Sequence, residues 1–89
     1  MSNASATPSY KGRAIILISG ASQLSVVDEV LDVLKPYSLR VEDHQQILMA
    51  GRLIAAFEIS FDPAHADAIE DDLSAQLKSK GFDIALEIL

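Results

Sequence analysis

The chain has no cysteine among its 89 residues. That excludes a disulfide framework, a thiolate zinc site and a cysteine nucleophile, and it fits a cytoplasmic protein. Cations are few: seven Lys and Arg stand against 13 Asp and Glu, a net charge of −6. Nucleic acids and anionic membrane surfaces both need clustered positive charge, so neither is expected as a partner. No apolar run approaches the ~20 residues that cross a bilayer as a helix. No Gly-rich phosphate loop and no Gly-x-Ser-x-Gly elbow is present, so Ser19, Ser22 and Ser25 do not read as nucleophiles. The two histidines, His44 and His65, lack a second ligand at a metal spacing such as His-x-x-x-His. They read as solvent-facing polar residues, and no metal site is expected. Glu70-Asp71-Asp72 points in several directions around a helix and reads as a solvated face.

What is present suffices for one small domain. About half of the residues are apolar, 49% by composition. A domain of this size buries only roughly 60–65% of its unfolded surface and gains from dimerisation or from docking on a neighbour. Met1–Lys11 is rich in Ser, Ala, Thr and Pro without an apolar centre, so it is no signal peptide. Residues 1–12 are expected to form a disordered leader, and Ser2-Asn3-Ala4 is like part of an expression-vector scar. The folded domain is expected over 13–89.

Ala14–Ser19 contains four aliphatics in a row, Ile15 to Ile18, and stops at Ser19-Gly20. A run apolar on both faces belongs in the middle of a sheet, because successive side chains point to opposite faces. A helix over Leu24–Lys35 follows, with Leu24, Val27, Leu31 and Leu34 on one face and Val30 and Val33 widening it. Ser22 or Ser25 can cap its start, Asp28 and Glu29 suit its first turns, and Pro36 ends it.

Leu39–Met49 reads as a polar edge strand whose apolar side is Leu39, Val41, Ile47 and Met49. Ala50-Gly51 offers a two-residue turn. Arg52–Phe61 places Leu53, Ala55, Phe57, Ile59 and Phe61 on one face and Ile54, Ala56, Glu58 and Ser60 on the other, a second central strand. Asp62-Pro63 opens a helix over Pro63–Lys80, with Ala66, Ile69, Leu73 and Leu77 inward and Gly81 as its stop. Phe82–Leu89 closes the chain as an edge strand with Phe82, Ile84, Leu86 and Ile88 inward.

The order β-α-β-β-α-β, with right-handed crossovers, predicts an α+β, ferredoxin-like sandwich: an antiparallel four-stranded sheet of order 4-1-3-2 with both helices on one face. The helix-free face then exposes aliphatic side chains and is the expected interface of a homodimer. Either Ile15 and Leu17 or Ile16 and Ile18 turn outward with Ile54 and Ala56; the candidate interface is Ile16, Ile18, Ile54 and Ala56. The loop after the first strand is the candidate ligand site. Gly20, Ser22, Gln23, Leu24 and Ser25 offer hydroxyls, an amide and the free N–H groups of a helix start, which suit a small carboxylate.

Two segments carry a resemblance. The frame Ile15-Ile16-Leu17-Ile18-Ser19-Gly20, with Val26 beyond it, and the stretch Asp43-His44-Gln45-Gln46-Ile47-Leu48-Met49-Ala50-Gly51-Arg52-Leu53 together resemble the N-terminal ACT domain of bacterial phosphoserine phosphatases. That family has Asp-x-Glu-Gln, three hydrophobic residues, then x-Gly-Arg-Leu. The resemblance spans about Arg13 to Ile88. It implies a regulatory domain that pairs with a second copy and binds an amino acid, L-serine or glycine, near the first strand–helix loop. From the way such interfaces close, Asp43 of a neighbouring subunit is expected to receive the ligand's ammonium. The family's loop reads Gly-x-Asp-Arg-Pro-Gly-Val; here only Gly20 and Val26 match it, so weak binding or none is expected.

The resemblance also implies a C-terminal catalytic domain in the parent protein, with Mg2+ there and no cofactor in this chain. The phosphatase nucleophile of that domain lies in Asp-x-Asp, which this sequence lacks, so no catalytic residue is expected here. The chain reads as a fragment ending at its last ACT strand. A free-standing ACT amino-acid sensor, a regulator like the glycine-cleavage repressor, and a ligand-free dimerisation domain are the alternatives.

Overall fold

A computed structural model describes residues 11–21 and 26–89. Strand β1 is Gly12–Ala21, helix α1 Val26–Leu34, β2 Leu39–Met49, β3 Arg52–Phe61, helix α2 Ala66–Leu77 and β4 Asp83–Ile88. The sheet order is β2-β3-β1-β4, all neighbours antiparallel. This is the expected 4-1-3-2 order, with β1 and β3 central.

One face of the sheet carries the core. Ala14, Ile16 and Ile18 of β1 and Leu53, Ala55, Phe57, Ile59 and Phe61 of β3 are buried against Val26, Val30 and Leu34 of α1 and Ile69, Leu73 and Leu77 of α2. Ile16 and Ile18 therefore lie under the helices, at 0% and 1% exposure, and cannot join an open-face interface. The physical reason is strand parity: Ile16 stands opposite Phe57 in the ladder, so both point to the helical side. Ile15 and Leu17 take the open face instead.

Helix α1 is centred on Val26, Val30 and Leu34, with Val27, Leu31 and Val33 packed at the margin of the core. Leu24 and the cap candidates Ser22 and Ser25 lie outside the described residues. The second helix follows its expected span but tightens at both ends. Pro63–His65 and Lys78–Lys80 are single 3-10 turns flanking α2. Asp62 caps the first of these, its carboxylate accepting from the Ala64 N–H at 3.0 Å. Gly81 ends the second at φ 89°, a left-handed position that suits glycine.

The β2–β3 turn has positive φ at both central residues, Ala50 at 54° and Gly51 at 74°. That is the twist a two-residue hairpin demands, and Ala50 bears its steric cost. The ladder slips once, between Val41 and Asp43. This β-bulge reverses the facing of everything beyond it. Leu39 and Val41 pair with Phe61 and Ile59 on the helical side, whereas Ile47 and Met49 pair with Ile54 and Arg52 on the open side. The single apolar side expected for β2 is thus split between two faces. Ile88, expected inward, is 54% exposed, because it lies at the end of β4 opposite the small Ala14.

Candidate functional site

The open face is laid out in rows by the ladder register. One row is Asp43, Glu58, Ile15 and Glu87; the next is Gln45, Ala56, Leu17 and Ala85; the next is Ile47, Ile54, Ser19 and Asp83. Arg52 and Met49 pair beyond them at the hairpin end. Leu17, Ile47, Met49 and Ile54 stand between 40% and 64% exposed. Such a contiguous apolar surface is more than scattered aliphatics.

A shallow cleft of about 200 Å³ opens on this face, lined by Ile15, Asp43, His44, Gln45, Ala56 and Glu58. Its floor is apolar, because alanine at 56 leaves a dip beside Ile15. Its rim is acidic, because the bulge turns Asp43 to the same side as Glu58, directly across the ladder. Glu58 is engaged by Arg13, whose Nη2 lies 2.6 Å from its Oε2. Among the described residues Asp43 has no side-chain partner. Glu42, in the bulge itself, accepts from the Ser60 hydroxyl at 2.8 Å, which pins the slip in place.

The bulge also decides where His44 goes. Its ring stacks on Phe57 on the helical side, centroids 5.7 Å apart and planes at 14°. His65, expected to face solvent, is half-buried against the Tyr37 ring at 5.7 Å, with its Nδ1 buried and unpartnered. The Tyr37 hydroxyl donates to the Asp72 carboxylate. That hydrogen bond, with desolvation and the charges of Asp72 and Asp71, pushes the phenol up to about 12. These contacts lock the α1–β2 connection onto α2. Among the described residues no group of three or more His, Asp or Glu converges on a metal position.

The candidate ligand loop is described only at its start. Gly20 is buried, and a Cβ there would fall 2.5 Å from Phe82 Cδ1 and 2.9 Å from the Gly81 carbonyl oxygen. Glycine is thus required by packing: the flat end of β1 seats Phe82 and with it the turn that ends the second helical segment. Ser22, Gln23, Leu24 and Ser25 lie outside the described residues. Asp43 is not brought to Gly20 within one chain. Gly20 is level with Leu53 and Asp43 with Glu58, about 17 Å apart along the strands at ~3.4 Å per residue. Any site using both needs two subunits.

Ile54 and Ala56 are on the open face as expected. Of the two alternatives for β1, Ile15 and Leu17 face outward rather than the candidates Ile16 and Ile18, and the signal for this was in the sequence. Arg13 and Ser19 share their parity, which marks that side of β1 as the wetter one.

Residues 13–87 match the model of the ACT domain family. Phosphoserine phosphatase SerB2 of Mycobacterium tuberculosis is 28% identical over 79 residues, covering 86% of this chain and 19% of that protein. The chain therefore spans about a fifth of the curated relative it matches. An ACT domain protein from Streptococcus pneumoniae superposes with a TM-score of 0.75 at 17% identity, covering 86% of this chain and 89% of that one. A putative glycine cleavage system transcriptional repressor superposes with a TM-score of 0.77 at 13% identity, covering 88% of this chain and 46% of that one.

Proposed function

We propose, from the premise that this chain belongs to the ACT domain family, that it is the regulatory and oligomerisation module of a cytoplasmic phosphoserine phosphatase. The observation that carries this reading is the similarity to SerB2, which runs through nearly the whole domain. In this role the chain performs no chemistry. It self-associates through its sheet, and a small amino acid, L-serine or glycine, acts as effector at the loop of Gly20, Ser22, Gln23, Leu24 and Ser25. Asp43 of a neighbouring subunit is the proposed acceptor for the effector's ammonium. The helix-start N–H groups are its proposed carboxylate donors, as free donors and the helix dipole both favour an anion.

The loop lacks the acidic residue and second glycine usual in the family, so the expected dissociation constant is weaker than ~1 mM, under ~4 kcal/mol. Calorimetric titration with L-serine and with glycine tests the reading. Heat that saturates in the millimolar range and disappears in Ser22→Ala and Ser25→Ala supports it. Tight binding that survives both substitutions removes this loop as the site. Purified protein supplied with Mg2+ is expected to leave phosphoserine intact.

A second reading is favoured by the superposition on the glycine cleavage repressor: a free-standing ACT regulator of amino-acid metabolism. The gene sequence following Leu89 separates the two. A catalytic domain opening on Asp-x-Asp supports the first, and its absence the second.

A further inference from the structure

We infer that the open face is a docking surface for a second copy of this chain, in one register: the Ile54–Arg52 pair of each copy enters the Ala56–Glu58 cleft of the other. This rests on the reading that the module self-associates, and it names the surface and its alignment.

The open face carries two ions without partners among the described residues. Arg52 and Asp43 both project from the open face, and neither side chain has an ion-pair partner among the described residues. Arg52 and Glu58 lie six positions apart on β3, about 20 Å at ~3.4 Å per residue, so one chain cannot join them. A two-fold axis lying across the strands can. The midpoint between 52 and 58 on β3 is 55, and there the open face is apolar, with Ile54 on one side and Ala56 on the other.

Rotation about that midpoint sets Ile54 over Ala56 of the partner subunit, and Arg52 over Glu58 of the partner subunit. Both pairs have the same two-residue spacing, so they are satisfied together. Shape agrees with charge. The cleft has an apolar floor of Ile15 and Ala56 and an acidic rim of Asp43 and Glu58. The group presented to it is a protruding isoleucine, 41% exposed, with a guanidinium one step further along. The rim carries two carboxylates, and Arg13 engages Glu58 through Oε2 alone, which leaves its other oxygen for the incoming guanidinium.

Two other alignments are poorer. An axis along the strands lays Asp43 against Glu87 of the partner subunit. An axis across the strands at the Ala56 row sets Glu58 on Ile54 of the partner subunit. A face-to-face pair built this way is isologous and closed, so assembly stops at two.

The absence of cysteine makes the register directly testable. Arg52→Cys and Glu58→Cys proteins, each alone and mixed in equal amounts, are treated with a thiol cross-linker spanning about 10 Å, the usual separation of stacked sheets. The expected result is a covalent dimer in the mixture and none in either protein alone. Cross-linking within a single variant, or none in the mixture while the wild type sediments as a dimer, overturns this register. A wild type that stays monomeric throughout the micromolar range overturns the self-association reading as well. A charge exchange gives an independent readout. Arg52→Glu should weaken dimerisation roughly tenfold, through two lost pairs per dimer and new repulsion. Adding Glu58→Arg in the same chain should restore it, and failure to restore it counts against the register.

Discussion

The two faces of the sheet are built from the same strands and almost the same residue types, yet they have opposite fates. On the helical side Ala14, Ile16 and Ile18 are at most 1% exposed; on the other, Leu17 is 40% and Ile54 41% exposed. The difference lies in partners rather than in hydrophobicity. Large side chains, Phe57, Phe61 and Phe82, fill the helical side, whereas the open side is floored by Ala56 and Ala85 and edged by Arg13, Arg52, Asp43 and Glu58. A face that ends in the fold's own core needs volume. A face proposed to meet another surface needs relief and charge.

Truncations on the two faces should differ in cost. Phe57→Ala is expected to cost about 3–5 kcal/mol, and Ile16→Ala about 2–5 kcal/mol, from lost transfer energy and the cavity left behind. Leu17→Ala, one position away on the open face, should cost under about 1 kcal/mol in the monomer, since its side chain is already partly solvated. Urea unfolding at low protein concentration measures all three. Equal losses at 16 and 17 would mean that the open face is part of a single-chain core.

Gly20→Ala is expected to destabilise by about 1–3 kcal/mol, as the new methyl collides with Phe82 and the Gly81 carbonyl. Destabilisation of that size supports packing as the reason for glycine here. Unchanged stability with lost effector response would point to the ligand instead. Asp62→Ala should cost about 1 kcal/mol through loss of its cap.

The smallest effect is at Tyr37. Its phenol is raised from 10.0 to about 12, so folding favours the neutral form. That contribution is complete below pH 10.0 and is lost as pH rises through about 12. Absorbance titration should show a phenolate step near pH 12 that Tyr37→Phe and Asp72→Asn both alter, the first by removing it and the second by lowering it. Because Tyr10 also absorbs, the Tyr37 step is read as the difference between wild type and Tyr37→Phe; a difference at the ordinary tyrosine value would show that Asp72 does not hold the hydroxyl in solution.

Most of the fold was legible because each element carried its own punctuation. Asp62-Pro63, Gly81, Ala50-Gly51 and the two-faced strands β1 and β3 each act locally, and together they admit one topology. The candidate site was less legible for two reasons. Assigning Ile16 and Ile18 to the open face followed from four aliphatics in a row, which conceal parity. Arg13 and Ser19, flanking the run, held the answer. The slip between Val41 and Asp43 left no such mark. Glu42, Asp43 and His44 are all polar, so alternation cannot show which residue is extra, and only the pairing with Ser60 and Phe57 fixes it. That one residue turns Asp43 onto the open face and so creates the acidic rim of the cleft. Sequence periodicity reports local alternation, whereas a bulge is a property of two strands.

In the proposed dimer the helix-free face is covered by another copy of the chain. Sedimentation of the wild type and of Ile54→Asp, with circular dichroism to check the fold, tests it most directly. The expected result is a wild-type dimer and an Ile54→Asp monomer with an unchanged spectrum, because a carboxylate at 54 would be buried against Ala56 of the partner subunit. An Ile54→Asp protein that dimerises like the wild type would contradict it.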